Sequence, residues 1–390
     1  MRLAMTFLVR DEADIIEANL RYHSAQGVDF FVVGDNGSTD GTVEILERYE
    51  RAGLVELEHF PGTVSQAWSE GRTKLGRRTH ERGADWVIHN DGDEFWWPLT
   101  GDLKQTLAAI PERYGLVIAP RTEFVPRPGN TSFVDRLTVR EARSLRPPKA
   151  AHRTHPRIVL DHPHPTRIWI EDTSEEAALE GRPGLTISDP GRPARAEQEL
   201  IFAPSFPIRV LHFPVRSLAQ YRHRVEMAEE AGMLESWWRA ELLAAHEDGR
   251  LDQVYERLTL SDQEVARGVE DGWLVEDTDF RDYLAACPDP LDGGGPPASS
   301  REWPEHRRQR ELADLELDAM YALTKYVRRR GGSARRGRFR ELKERELMLR
   351  RRLRRRERRL ESIRTSRWWR LRPRLPRRLR RGGLARRGAD

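Results

Sequence analysis

Apolar residues fall in short blocks along the first 125 positions, and the blocks alternate between a strand period and a helix period. LAMTFLV (3–9) is a compact apolar run with a β-branched end, the pattern of a buried strand. Asp11 is placed to cap a helix in which Ile15, Ile16, Asn19, Leu20 and His23 recur at helical spacing, and Gly27 closes it. DFFVV (29–33) predicts a second strand. After DNGSTDGT (35–42), Val43, Ile45, Leu46 and Tyr49 predict a helix ending near Gly53. LVELEHF (54–60) predicts a third strand, residues 68–82 a helix, and ADWVIHN (84–90) a fourth strand. Leu103, Leu107 and Ile110 mark another helix, and GLVIAP (115–120) another strand. This rhythm predicts an α/β fold, a mostly parallel sheet with helices on both faces. Ligands of such sheets bind beyond the carboxyl ends of the strands.

The pattern then changes. Residues 121–215 are irregular and rich in Pro, Arg and His; within them 171–199 is acidic, then rich in Pro and Gly, which predicts an excursion or loop. From 217 to 286 the spacing is helical, with Trp237 and Trp238 as bulky anchors. PDPLDGGGPPASS (288–300) has linker composition, and helices are expected over 304–329 and 338–365. There is no internal repeat. No apolar run is long enough for a membrane-spanning helix, and the N-terminal run is too short for a signal peptide. Cys287 is the only cysteine, so an intrachain disulfide or a cysteine-built metal site is excluded, and a reducing compartment is expected.

Two strand ends carry chemistry. Asp35 stands at the end of the second strand. Gly37 and Gly41 permit tight turns there, and Ser38, Thr39 and Asp40 are capping types. The segment reads either as a well-capped strand–turn–helix connection or as a crevice in which Asp35 accepts a hydrogen bond from a base or sugar. HNDGDEFW (89–96) sets three acids within four positions, directly after a buried strand. In an extended chain Asp91 and Asp93 point the same way, and Gly92 leaves room between them. Adjacent carboxylates repel unless a cation joins them. Hard oxygen donors of this kind suit Mg²⁺ or Mn²⁺, completed by substrate phosphates. The alternative is an acidic surface turn.

With the opening FLVRDEADII, the pair DNGSTDGT and D-G-D-E-F resembles the GT-A fold glycosyltransferases of the family 2 type, closest to the bacterial subgroup with a D-x-D-E-F metal motif. TEFVPRPGNTSFVDRLTVRE (122–141), KAAHRTHPRIVLDHPHP (149–165) and LHFPVRSLAQYRHRV (211–225) are similar to later segments of that subgroup. The resemblance implies a GT-A (Rossmann-like) domain over 1–235, with 171–199 as a variable loop. Beyond it lie a helical extension over 236–287, a linker over 288–303 and a basic helical tail over 304–390. It implies that Arg10 and Asp35 face the donor, and that Asp91 and Asp93 serve the metal and diphosphate, Asp93 more directly. His212 becomes a third metal ligand or phosphate contact, or else an ordinary histidine at a strand end. Arg216 and Gln220 position phosphate or acceptor. His152, His155, His162 and His164 form a second cluster that could hold metal or line the acceptor site. The subgroup's N-H pair reads P-H here, at Pro163–His164. The implied reaction moves a sugar from a nucleotide-sugar donor to a hydroxyl of a glycan or lipid-linked acceptor, with inversion. A divalent ion and arginines stabilise the leaving diphosphate, and Glu94 and Glu123 are the candidate bases.

Charge divides the chain. Residues 331–390 hold 25 Arg and Lys against 6 Asp and Glu, whereas the first 330 carry 15 more acids than bases. RRRLRRRERR (350–359) and SRWWRLRPRLPRRLRR (366–381) interleave arginine with Leu, Trp368 and Trp369, the composition of a segment lying on an anionic bilayer. SRWWRLRPRLP also resembles the tails of bacterial cell-surface glycosyltransferases. The chain has no nucleic-acid-binding motif, so membrane ranks ahead of nucleic acid as the partner of 335–390. The expected location is cytoplasmic, peripheral to the inner face of the plasma membrane, and the helices after 304 could pair two chains. The rival reading is a non-catalytic nucleotide- or carbohydrate-binding relative recruited by its tail. A nucleotidyltransferase is a further rival, but the loop after the first strand reads RDEAD, not the Gly-rich basic loop such an enzyme would show.

Overall fold

The computed structural model describes residues 1–60, 70–112, 114–129, 131–143, 146–160, 168–170, 185–186, 201–203, 207–230, 244–292 and 305–322, all within the unit Met1–Arg329. Trp237, Trp238, His162, Pro163, His164, nearly all of 171–199, most of the linker and residues 323–390, with the expected helix at 338–365, lie outside the described residues.

The first half runs β1 (Leu3–Val9), α1 (Ile16–Ala25), β2 (Phe30–Asp35), α2 (Thr42–Arg51), β3 (Val55–His59), α3 (Arg72–Glu81), β4 (Trp86–Asn90), β5 (Glu94–Pro98), α4 (Leu103–Ala108), β6 (Tyr114–Ala119) and β7 (Arg121–Glu123). Then come α5 (Phe133–Arg136), β8 (Val139–Glu141), β9 (Lys149–Arg153), β10 (Ile158–Leu160), β11 (Ile168–Ile170), β12 (Leu185–Thr186), β13 (Ile201–Ala203) and β14 (Ile208–His212). The chain continues through α6 (Leu218–Glu230), α7 (Leu251–Leu258), α8 (Asp262–Glu270), β15 (Leu274–Glu276), α9 (Asp279–Ala286) and α10 (Glu305–Ala322).

The main sheet has the order β13-β6-β9-β4-β1-β2-β3. Strands β3, β2, β1 and β4 run parallel, as does β13 with β6; β9 is inserted antiparallel between β4 and β6. The period of two sorts the side chains. Leu3, Met5, Phe7, Phe31, Val33, Trp86 and Ile88 meet Ile16 and Leu20 of α1 and Leu46 and Tyr49 of α2. Ala4, Phe30 and Val32 meet Leu75 of α3 on the opposite face. Both faces are therefore covered, as the alternating pattern predicts, and the fold is α/β. Strand order reverses at β1, with β2 on one side and β4 on the other, so the carboxyl ends of these strands border a switch-point crevice.

One expectation is corrected. Asp11 does not cap α1: it sits at φ +55°, and α1 starts behind Ile15 with no side-chain cap. The carbonyl of Glu12 accepts from the N–H groups of Ile15 and Ile16 instead, at 3.0 and 2.9 Å. EFWWP, to which the sequence pattern assigned no element, is strand β5, buried along its whole length. It forms a second sheet, β5-β14-β7, in which β14 runs antiparallel to β5 and parallel to β7. His212 thereby sits opposite Glu94 on one side and Glu123 on the other.

Behind this sheet Tyr22, Phe95, Trp97, Phe124, Phe213, Phe280 and Leu315 form a second core. Residues from α9 and α10 thus pack in the same unit as the strands. Arg209 of β14 reinforces this: it donates to Thr122 Oγ1 at 2.6 Å and pairs with the buried Asp318 of α10 at 3.2 Å.

Candidate active site

The Asp91–Glu94 turn is held from below by buried amides. Asn19 Nδ2 donates to the carbonyls of Gly92 and Glu94, both at 2.9 Å, and Asn90 Nδ2 donates to Glu94 O at 2.8 Å. His23 sets the Asn19 amide. Its Nε2 accepts from Trp96 N–H at 3.1 Å, so its proton is on Nδ1, which donates to Asn19 Oδ1 at 2.6 Å. A carbonyl without its donor here would be buried and unsatisfied, which explains why polar Asn19 and His23 occupy the apolar face of α1.

A second buried chain links Thr6, His89 and His152. His152 Nδ1 donates to Arg153 O at 2.8 Å, His89 Nε2 lies 2.8 Å from His152 Nε2, and Thr6 Oγ1 lies 2.7 Å from His89 Nδ1. One proton per ring satisfies this chain. His152 is enclosed by it and is not available to an acceptor site. His155 Nδ1 accepts from Arg157 N–H; His162 and His164, the other members of the expected cluster, lie outside the described residues.

Burial pushes His23 down to about 3 and His152 to about 4, and the neutral rings it leaves are the forms the hydrogen bonds require. Both folded values lie below the unfolded one. Their stabilising contribution is therefore complete above about pH 6.5 and is lost as pH falls, when the unfolded chain takes up protons that the folded chain refuses. Each histidine is expected to cost the fold roughly 3 kcal/mol by pH 4, at about 1.4 kcal/mol per pH unit. Urea midpoints measured between pH 7 and pH 4 check this. A His23→Gln variant with an undiminished slope would refute the assignment to His23.

Each acid of the turn meets its own cations. Asp91 accepts from Arg72 Nη2 at 2.6 Å and Lys149 Nζ at 2.5 Å. Lys149, wholly buried, also lies 2.9 Å from Glu94, which pairs with Arg121 at 3.3 Å. Asp93 Oδ2 is 3.2 Å from His212 Nε2 and 3.3 Å from Arg224 Nη1. His212 Nδ1 is 2.6 Å from Glu123, which pairs with Arg121 at 3.1 Å.

Burial alone would raise the acids. Lys149 and Arg72 instead hold Asp91 well below the usual carboxylate range, and His212 and Arg224 do the same to Asp93. Glu123 is drawn down to about 2 by His212 and Arg121 against its burial. Burial would lower His212, but Glu123 and Asp93 together raise it to about 9, so the ring is charged at neutral pH.

The loop after β1 forms the facing edge. Asp11 accepts from Thr39 N–H at 2.6 Å, Ser38 Oγ from Asp11 N–H at 2.9 Å, and Asp40 from Ala13 N–H at 3.0 Å, which ties this loop to DNGSTDGT. Asp35 accepts from the N–H groups of Gly37 and Ser38 at 3.0 and 3.1 Å, so its carboxylate shapes its own turn. Arg10 Nε lies 3.9 Å from Asp11. Arg216, almost fully buried, pairs with Asp14 and Glu12, each at 2.7 Å, and Gln220 Oε1 accepts from Arg216 N–H at 3.3 Å. Burial, Asp93 and Asp14 raise Glu12 to about 7 against the pull of Arg216. A Cβ at Gly92 would stand 3.3 Å from Glu12 Cγ and Cδ, a tight approach that glycine avoids.

The structure thus brings Asp91, Asp93, Glu94, Glu123 and His212 together, sets Arg216 and Gln220 behind the first loop, and leaves Arg10 and Asp35 on the neighbouring loops. Sequence reading missed Arg72, Lys149, Arg121, Arg224, Glu12 and Asp14. Lys149 carries one signal, a lone lysine opening the apolar strand KAAHR. Among the described residues no three His, Cys, Asp or Glu side chains are gathered as a ready metal cage. Asp93 fits an ion completed by a ligand's phosphates, and His212, charged as it stands, fits beside it only once the ion displaces its Nε2 proton. Both oxygens of Asp91 are engaged by cations, Arg72 at one and Lys149 at the other.

The model of the family described as Glycosyltransferase family 92 matches residues 5–108, from β1 to the end of α4. No curated protein matches the chain. Among solved structures, S. aureus TarS 1–349 in complex with UDP is 13% identical with a TM-score of 0.31, over 84% of this chain and 93% of that one. TarS 1–349 with UDP-GlcNAc is 18% identical with a TM-score of 0.29, over 39% and 45%. Mycobacterium tuberculosis glucosyl-3-phosphoglycerate synthase in complex with Mn²⁺, UDP and glucosyl-3-phosphoglycerate is 20% identical with a TM-score of 0.22, over 31% and 44%. The chain spans 28% and 45% of the first two TarS chains it matches.

Proposed function

We propose that this chain is a GT-A-type glycosyltransferase that moves a sugar, with inversion, from a nucleotide-sugar donor to a hydroxyl of a glycan or lipid-linked acceptor. One observation carries the reading: Asp93, His212 and Glu123 converge beside the loop after β1, at the carboxyl ends where strand order reverses. The family match over residues 5–108, which include the loop after β1 and Asp93 but not Glu123 or His212, supports it. Asp93 would hold a Mn²⁺ or Mg²⁺ ion together with the donor diphosphate, and His212 would join it with loss of its Nε2 proton. When bound, that ion supplies counter-charge to the leaving nucleoside diphosphate. Glu123 orients His212 through the 2.6 Å contact. Glu94 is sealed between Lys149 and Arg121, a position suited to holding the turn and not to taking a proton from an acceptor.

Calorimetry with a panel of nucleoside diphosphates, with and without Mn²⁺, tests the donor site. Metal-dependent binding of one nucleotide, abolished in Asp93→Asn, is expected. Binding of none of them, with metal present, would overturn the reading.

The basic segment 335–390 would place the enzyme on the anionic inner face of the plasma membrane, in reach of a lipid-linked acceptor and cell-surface polysaccharide synthesis, and the helices after 304 would pair two chains. Arginine interleaved with Trp and Leu supports the membrane partner. Co-sedimentation with anionic vesicles should disappear when 335–390 is deleted. Equal binding by both forms would refute that role.

A further inference from the structure

Five cations touch the acids of the Asp91–Glu94 turn among the described residues, and four of them are committed. Arg72, Lys149, Arg121 and His212 have side chains no more than 11% exposed, whereas that of Arg224 is 53% exposed. Arg224 lies on α6, one helical turn beyond Gln220, and reaches back over the turn. Its Nη1 contacts Asp93 Oδ2 at 3.3 Å and donates to Pro214 O at 2.7 Å. We propose that Arg224 is a diphosphate-binding residue that stands on Asp93 in the unliganded protein and transfers to the phosphates of an incoming donor. This rests on the glycosyltransferase reading and adds a residue to that site.

Three considerations support the transfer. Asp93 keeps His212 at 3.2 Å after Arg224 leaves, so no buried carboxylate is stranded. The Arg224 guanidinium is itself half exposed and is rehydrated as it leaves, so releasing it costs less than moving a buried cation. A guanidinium meets phosphate oxygens through a planar fork of donors, which a single contact at 3.3 Å to one carboxylate oxygen does not use. The other cations lack this freedom. Arg72 and Lys149 are themselves buried and bonded to Asp91, and moving Lys149 would also take a partner from the buried Glu94.

The probes are inorganic pyrophosphate and the nucleoside diphosphate selected by the panel above, titrated into the full chain by calorimetry with and without Mg²⁺. Arg224→Gln is expected to weaken both ligands at least tenfold while leaving the melting temperature unchanged. Arg224→Lys, which keeps the charge and loses the fork, is expected to fall between. Wild-type affinity in Arg224→Gln would overturn the inference and leave the donor site standing. If the wild type bound neither probe, the inference would fall together with the glycosyltransferase reading. A loss confined to transfer rate, with both affinities intact, would assign Arg224 to the acceptor side and also overturn it.

Discussion

Lys149→Met is expected to destabilise the fold by about 3–5 kcal/mol, the usual cost of removing one partner from a buried charge cluster. Lys149 is wholly buried and lies 2.5 Å from Asp91 and 2.9 Å from Glu94. Methionine keeps much of the stem and removes the charge, so packing changes little. Glu94 would retain only Arg121, at 3.3 Å, and Asp91 only Arg72. Asp91 is partly exposed and can recover hydration; Glu94 cannot. Adding Glu94→Gln to Lys149→Met should therefore recover part of the loss, as expected for groups in direct contact. Urea denaturation of the wild type, the single variants and the double variant checks this. A Lys149→Met midpoint equal to that of the wild type would show that other groups carry the charge of the turn.

Asp91 and Asp93 stand two residues apart, yet their replacement should have different consequences. Asp93→Asn leaves His212 paired with Glu123 and is expected to melt near the wild type while losing about 10²- to 10³-fold in transfer rate, the scale of removing one preorganised electrostatic group. Asp91→Asn removes the charge facing Arg72 and Lys149 and leaves one acceptor oxygen for the two donors, and is expected to lower stability by about 1–3 kcal/mol first, with activity following stability. The comparison needs a transfer assay with the donor that the nucleotide panel selects, beside thermal melts. Equal losses of activity with no loss of stability in Asp91→Asn would contradict the division of roles.

That division was not legible in D-G-D-E-F. Alternation predicts that Asp91 and Asp93 share a face, and both then look like ligands of one ion. In the fold Asp91 turns to α3 and β9, while Asp93 turns to β14 and α6. The residues responsible lie 19 to 131 positions away from the acids they pair with. With 67 Lys and Arg in the chain, no local pattern says which cation meets which carboxylate. The histidines show the same limit. His152 and His155 stand in one short stretch with His162 and His164, but the antiparallel entry of β9 beside β4 places His152 against His89 inside the sheet.

The sequence by itself determined the alternating elements of the first half, the covering of the sheet on both faces and the placing of Asp35 and Asp91–Glu94 at the ends of strands. These follow from period and turn chemistry, which act between near neighbours and are therefore written locally. Only the tertiary structure decided that β9 enters antiparallel, that β14 carries His212 between Glu94 and Glu123, and that Lys149, Arg121 and Arg224 divide the acids among them. Those outcomes depend on pairing between distant segments, where burial makes each unpaired charge costly and leaves few acceptable arrangements.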